Sequence, residues 1–267
     1  MRQNRLTSAL LAPALGLVLL ATACSGHVPE PSVAHATPSA SPSVEMGESG
    51  PILKEAAIPG LDVGVSTTES KDLQVNVRWA IVPGADALNR AVEGFAKERE
   101  AAFRAEAKPA DTAPPELSVT STPFLAKGEV AGVRVAEAVF YGANWGHSAR
   151  TFYGAANGGW VASGAELFTE EGAVAAFKAL VAALPRADQE MVAALTDRTR
   201  LLNDTIVQAD GSLLIAVDQG LIAPSSTGTM TAVLPAAKVR SWISPRGRDV
   251  VIAATKGGAY AVGSAPA

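Results

Sequence analysis

A short segment in the middle of the chain holds the residues best suited to binding a ligand. Tyr141, Asn144, Trp145, His147 and Tyr153 lie there among several glycines, in a chain with only 5% aromatic residues. Aromatic rings can stack on sugar faces or anchor a protein partner, and Asn and His supply hydrogen-bonding groups. We predict that these five side chains form a binding site and that Trp145 is exposed on a loop.

The same pattern allows a second interpretation. Alternate rings around the glycine-rich turn, Trp160 among them, can fill the core beneath it instead of facing a ligand. His147, between Gly146 and Ser148, can equally be a loop side chain that is hydrogen-bonded to backbone. Both interpretations stay open at the level of the sequence.

Signatures of catalysis are sparse. His147 is the one His beyond the N-terminal region, and no Ser lies in a Gly-x-Ser-x-Gly elbow. A zinc site needs three or four ligands, and one such His with no thiol in the folded part makes a His-rich site impossible, so we expect no metal and no cofactor. Paired carboxylates for glycoside hydrolysis stay open, because the partners need only be close in space. Glu166, Glu170 and Glu171 are explained more simply by the start of a helix.

Composition excludes several classes of protein. One Cys among 267 residues cannot form an intrachain disulfide, so the fold must be held by an apolar core, for which 48% hydrophobic residues suffice. The formal net charge of −4 gives no electrostatic basis for binding nucleic acid, whose phosphates need clustered Lys and Arg.

The N-terminus is typical of a bacterial lipoprotein. A short cationic stretch precedes an apolar run from Leu10 to Ala21, which is shorter than the ~20 residues of a transmembrane helix, and small residues lead to Cys24. We interpret residues 1–23 as a secretory signal peptide and Cys24 as the acylated, palmitate-bearing first residue of the mature chain. A cleaved signal followed by a chance Cys is the alternative. The predicted location is the extracytoplasmic side of the cell membrane, through a lipid anchor.

The segment after Cys24 is typical of a disordered tether. Residues 24–52 are rich in Pro, Ser and Ala and lack hydrophobic periodicity, and His27 and His35 are expected to be solvated there. Removal of the signal would take away two of the 22 basic residues and none of the 26 acidic ones. We therefore expect no basic surface that adds electrostatic adhesion to the membrane. Residues 53–267 are predicted to form a single domain.

Hydrophobic periodicity outlines the folded part. A period of two over 73–81 predicts a strand, and helical spacing over 86–107 predicts an amphipathic helix. Because strands and helices do not alternate as regular βαβ units, the predicted class is α+β, with largely antiparallel sheets and helices packed on them. The other expected elements are strands at 117–125, 130–141, 149–156, 159–163, 229–234 and 249–254, helices after Thr169 and around Met191, and a hairpin over 205–217 with Asp210-Gly211 as a type I′ turn.

Three stretches resemble the extracellular domain of the anti-sigma factor RsiV, a fold shared with the N-terminal region of the peptidoglycan deacetylase PdaC. They are the strand and helix from Leu73 to Phe103, the segment from Tyr141 to Phe168, and the segment from Asp210 to Gly228. The second contains Tyr141 to Ser148, which resembles the family's Gly-Gly-Ala-His signature with Asn144-Trp145 in place of Gly-Ala. The third is similar to the family's strand that runs into an Ala-Pro-x-x-x-Gly loop. The resemblance implies an RsiV-like fold over about residues 60 to 245.

The resemblance also implies a sensing or binding module. In RsiV this domain binds lysozyme, and in PdaC it accompanies wall-glycan chemistry. We therefore expect a lipid-anchored, non-enzymatic protein of the cell envelope that binds peptidoglycan glycan or a muramidase-type, lysozyme-like protein through residues 141–153. The alternatives are a wall-glycan hydrolase that uses paired carboxylates, and a structural partner of another envelope complex.

Overall fold

A computed structural model describes residues 45–108 and 113–261. The predicted signal peptide, the predicted acylation site at Cys24 and most of the predicted tether lie outside these residues, as do His27 and His35. Within the two described ranges, no helix combines the length and the apolar character needed to cross a membrane.

One six-stranded sheet carries the central segment of the chain. A short hairpin of β1 (Met46–Gly47) and β2 (Gly50–Pro51) precedes it. All neighbouring strands of the sheet are antiparallel except β4 and β5, which are parallel because helix α1 (Asp86–Glu106) crosses between them. In sequence order the six strands are β3 (Asp62–Glu69), β4 (Gln74–Ile81), β5 (Glu116–Lys127), β6 (Val130–Phe140), β7 (Trp145–Ala155) and β8 (Val161–Ser163).

Helix α1 covers one face of this sheet. Its buried side chains Leu88, Val92, Ala96 and Phe103 recur at helical spacing and pack on the buried side chains of the strands. At Gly154 the helix comes so close that an added Cβ would lie 2.7 Å from the Leu88 Cβ, so only glycine fits there. The predicted strand over 73–81 and helix over 86–107 are confirmed.

A second core lies around a three-stranded antiparallel sheet. Its strands are β9 (Asp204–Val207), β10 (Leu213–Val217) and β11 (Met230–Leu234), with β10 in the centre. The Thr169 hydroxyl accepts a hydrogen bond from the Gly172 N–H (3.0 Å), which confirms the predicted N-cap. The predicted α+β class with largely antiparallel sheets is confirmed. The helices in this part are α2 (Glu170–Ala183), α3 (Gln189–Ala194), α4 (Ala236–Val239) and α5 (Pro245–Lys256).

The predicted strand at 249–254 is wrong, because these residues belong to α5. The run Val250-Val251-Ile252 favours a strand by propensity alone. However, the Ser244 hydroxyl accepts a hydrogen bond from the Gly247 N–H (3.1 Å) and Pro245 is the first helical residue, which together begin a helix.

The structure differs from the sequence predictions at three other places. The hairpin between β9 and β10 has a three-residue loop instead of the predicted two-residue type I′ turn. Gly211 takes φ +81° in this loop. The Gly211 N–H donates to the Gln208 carbonyl, and the Gln208 N–H donates to the Ser212 carbonyl. Strand β3 was not predicted. The tether was expected to continue to residue 52, but the β1–β2 hairpin packs on the sheet, where the Arg134 guanidinium donates to the Ser49 carbonyl (2.6 Å).

Candidate functional site

The free edge of β7 positions the site. Strand β8 pairs only with Phe152–Gly154, so among the described residues no strand pairs with the outer edge of the first part of β7, the edge opposite β6. The segment after β10 bonds this edge instead: the His147 N–H donates to Gln219 Oε1 (3.1 Å) and the Ala149 N–H to Asp218 Oδ1 (2.9 Å). These bonds satisfy backbone groups that an edge strand would otherwise expose. They also bring two polar side chains from a distant part of the sequence to the predicted segment.

A cleft of about 420 Å³, here called the edge cleft, runs along this edge. Helix α1 contributes one wall, and the segments around residues 200 and 218–221 contribute the other. Charged and polar groups dominate the lining. The lining residues that carry such side chains are Arg99, Glu137, His147, Ser148, Arg200, Asp218 and Gln219.

Glu137 is the most tightly held charge in the edge cleft. It is buried, and Arg99 donates to both of its carboxylate oxygens at 2.8 and 2.9 Å while the Ser148 hydroxyl donates to Oε2 at 2.9 Å. Such a bidentate ion pair is strong and directional. The hydrogen bond with Glu137 also raises the pKa of Arg99. The position of the carboxylate is therefore fixed by three hydrogen bonds.

Asp218 has the opposite electrostatic environment. Burial raises its pKa to about 6, and the hydrogen bond from the Ala149 N–H opposes this rise. The charges of Asp204 and Glu137 raise the pKa further, and that of Arg200 lowers it. The edge cleft thus combines one carboxyl group held in an ion pair with one carboxyl group that binds a proton near pH 6.

An aromatic shelf, made of Phe140, Trp145 and His147, adjoins the edge cleft. The Trp145 and His147 rings are stacked with 20° between their planes and 6.4 Å between centroids, and Phe140 packs on Trp145 at 5.4 Å. Trp145 and His147 alternate along β7 with Ser148, whose hydroxyl faces Glu137 and α1, and Phe140 of β6 is the cross-strand partner of Trp145. The shelf therefore lies on the sheet face turned away from α1.

The Trp145 ring is the exposed part of the shelf. Trp145 is 39% exposed, as predicted, although it begins strand β7 and does not lie on a loop. His147 is likewise on the strand, and its ring is bonded to the Ser49 hydroxyl (Nδ1 to Oγ, 2.8 Å) rather than to backbone. The hairpin β1–β2 thus fixes the orientation of the histidine ring.

The remaining predicted site residues do not join Trp145 and His147. Tyr141 is 46% exposed but packs on Phe103 of α1, and its hydroxyl donates to Glu106 (3.1 Å), so it lies on the α1 side of the sheet. Asn144 is exposed at the turn before β7.

The prediction for Tyr153 is wrong. Its side chain is fully buried, its hydroxyl donates to the Thr205 carbonyl (2.7 Å) and it accepts from the Val207 N–H (3.0 Å). Tyr153 therefore joins the two sheets and cannot contact a ligand. For this ring the core-filling interpretation holds.

The sequence did not reveal Arg99, Glu137, Arg200, Asp218 and Gln219 as parts of one site. Each lies in a segment whose pattern already has a local explanation, such as the charged face of α1. One signal was present: Glu137 and Arg134 are the two charged residues in the otherwise apolar run of β6, where an unpaired charge would be costly. In residues 45–108 and 113–261, no group of three or more His, Cys, Asp and Glu could hold a metal ion.

Fold and site together define an α+β protein with an aromatic shelf beside a polar cleft. No protein-family model and no curated protein matches the chain. Two solved structures of DUF3298-family proteins are similar to it, and this family includes extracellular domains of the RsiV and PdaC type. One, from Bacteroides fragilis, has 10% identity and a TM-score of 0.46 over 73% of this chain and 97% of its own. The other, from Pseudomonas aeruginosa, has 14% identity and a TM-score of 0.42 over 74% and 97%.

Proposed function

We propose that this protein is a non-enzymatic, lipid-anchored component of the bacterial cell envelope that binds peptidoglycan glycan. The observation that carries the proposal is the exposed Trp145 ring beside the edge cleft. A flat aromatic ring next to a row of hydrogen-bonding groups suits a sugar, which presents an apolar ring face and polar hydroxyl edges.

The polar groups of the edge cleft support a glycan ligand. The Arg200 side chain is exposed and has no carboxylate within ion-pair distance among the described residues. Among the described residues, Asp218 Oδ2 and His147 Nε2 form no hydrogen bond, so both atoms can bind a ligand hydroxyl. Donors and acceptors that are already held in place lose little entropy when they bind hydroxyl groups.

The proposed location depends on the N-terminal sequence. Cys24 would carry the acyl chains, and the residues after it would hold the folded part away from the bilayer. We also propose that the domain is of the RsiV and PdaC type. A muramidase-type protein is the alternative ligand. The narrow cleft favours a sugar chain over a protein surface, because a stable protein interface needs about 800 Å² from each partner.

A wall-glycan hydrolase is the second candidate. It is favoured by the presence of two carboxyl groups, Glu137 and Asp218, in one cleft and by the raised pKa of Asp218, because glycosidases use a pair of carboxyl groups of which the acid has a raised pKa. Against it, both Glu137 oxygens already accept hydrogen bonds and its side chain is buried, so it cannot reach a sugar as nucleophile or base.

Sedimentation with purified peptidoglycan tests the proposal. A chain that begins at residue 25 should co-sediment with peptidoglycan, and Trp145→Ala should weaken this binding. Tyr141→Ala, which removes an exposed ring that belongs neither to the aromatic shelf nor to the lining of the edge cleft, should leave it unchanged. Immobilised lysozyme serves as the second arm. Binding to lysozyme alone would replace the glycan by a protein partner, and binding to neither would refute the proposal. Release of muropeptides by wild type, abolished in Asp218→Asn, would establish the hydrolase instead.

A further inference from the structure

The C-terminal helices form a basic surface on an acidic protein. Residues 236–256 contain Lys238, Arg240, Arg246, Arg248 and Lys256, and the only acidic residue among them is Asp249. The chain as a whole has 22 basic against 26 acidic residues. The basic residues of this segment are exposed. From the negative net charge we expected no basic surface, but the structure shows exposed basic residues clustered in this segment.

A groove of about 430 Å³ lies within the basic surface, between α4, α5 and the turn at Gly211. Its floor is apolar and includes Val239, Ile243 and Val251. Its rim carries the guanidinium groups of Arg240 and Arg248 and the ammonium group of Lys256. We call this site the basic groove.

The exposed face of α5 carries two cations with an apolar side chain between them, and the carboxylate of Asp249 lies beside them. Arg248, Ile252 and Lys256 are spaced four residues apart, so they lie one above another along the helix. Ile252 is 57% exposed, the most of any large hydrophobic residue in the described part of the chain. An exposed isoleucine between two cations is the arrangement by which a helix face inserts an apolar group below the level of lipid phosphates.

The cations of the basic groove are available for a partner. None of Arg240, Arg248 and Lys256 has a carboxylate within ion-pair distance among the residues that the structure describes. Asp210, the one acidic residue in the lining, already accepts hydrogen bonds from the N–H and hydroxyl of Ser212. The rim thus presents three cations and one carboxylate, and so a net positive charge, around an apolar floor.

We propose that the basic groove docks on an anionic lipid bilayer, with Arg240, Arg248 and Lys256 at the phosphate level and Ile252 inserted beneath it. The positive charge of the rim favours an anionic lipid. The apolar floor and the exposed Ile252 favour an amphiphile with acyl chains, which a glycan or a soluble acidic polymer lacks. This contact is independent of the aromatic shelf. A lipid-anchored protein would gain from it a second membrane contact.

Vesicle co-sedimentation tests the proposal with a chain that begins at residue 25 and so lacks the acylation site. Both cores are built from residues 58–254, so this chain keeps every core contact that the structure describes. It should bind vesicles of phosphatidylcholine with phosphatidylglycerol and not vesicles of phosphatidylcholine alone. Replacing Arg240, Arg248 and Lys256 together by Gln should weaken binding on the order of 100-fold, since each cation near an anionic surface contributes roughly fivefold.

Two matched controls separate docking from general effects of charge and hydrophobicity. Replacing exposed Lys54, Lys71 and Arg78 by Gln removes the same charge from other surfaces and should leave binding unchanged. Ile252→Asn should weaken binding about tenfold, whereas Val174→Asn, at a 50% exposed position on α2, should not. Equal loss in both charge variants, unaffected binding in Ile252→Asn, or binding of soluble polyphosphate but not of vesicles would each overturn the proposal. Circular dichroism verifies that each variant is folded.

Discussion

Replacing Asp218 by Asn should stabilise the protein at neutral pH. Burial raises the pKa of this carboxyl to about 6, whereas it titrates near 4 in an unfolded chain. Between these pH values the folded state binds more protons than the unfolded state, so its stability falls as the pH rises from about 4 to 6. A difference of about two pKa units corresponds to about 3 kcal/mol at pH 7, at about 1.4 kcal/mol per unit.

Asn is a suitable probe because it keeps the oxygen that accepts from the Ala149 N–H and never becomes charged. Urea unfolding at several pH values measures the effect, since the difference between wild type and variant removes the titration of all other groups. We expect a free-energy difference of unfolding near zero at pH 4 that grows to about 3 kcal/mol in favour of the variant at pH 7. A difference that does not change with pH, or a variant less stable than wild type at pH 7, would refute the reasoning.

Two further predictions concern the contacts that join the two sheets. Asp204→Asn should cost about 3 to 5 kcal/mol in urea unfolding because it leaves the Arg134 guanidinium buried without its counter-charge. The double replacement Arg134→Met with Asp204→Leu should recover most of this loss. A cost of Asp204→Asn below about 1 kcal/mol would contradict the prediction. Tyr153→Phe should cost about 1 to 3 kcal/mol because the Val207 N–H loses its buried partner and the Thr205 carbonyl keeps only the hydrogen bond from the Thr151 hydroxyl. Tyr141→Phe, whose hydroxyl is exposed, is the control, and equal effects would contradict the assignment.

Local patterns predicted the elements well where one signal dominated. The amphipathic helix α1, the strand β4 and the N-cap at Thr169 follow from residues close together in sequence. At α5 two local signals competed, and the cap at Ser244-Pro245 prevailed over the strand propensity of Val250-Val251-Ile252 because the helix buries Val250 and Ala254 on one face.

Only some of the residues of the site could be predicted from the sequence. Trp145 and His147 could be identified because aromatic residues are rare in this chain. The side chains that complete the edge cleft come from α1 and from the segment after β10, and only the tertiary fold brings them to β7. Tyr153 could not be separated from the ligand-facing rings because its burial depends on β9, more than fifty residues away.

Calorimetric titration with soluble peptidoglycan fragments is the most direct test of the proposed function. The central claim is that the exposed Trp145 ring and the edge cleft together bind the sugar chain. Wild type should bind, Trp145→Ala should lose at least about tenfold in affinity, which corresponds to about 1.4 kcal/mol, and Tyr141→Ala should match wild type. Unchanged affinity in Trp145→Ala, or equal losses in the two variants, would contradict the account.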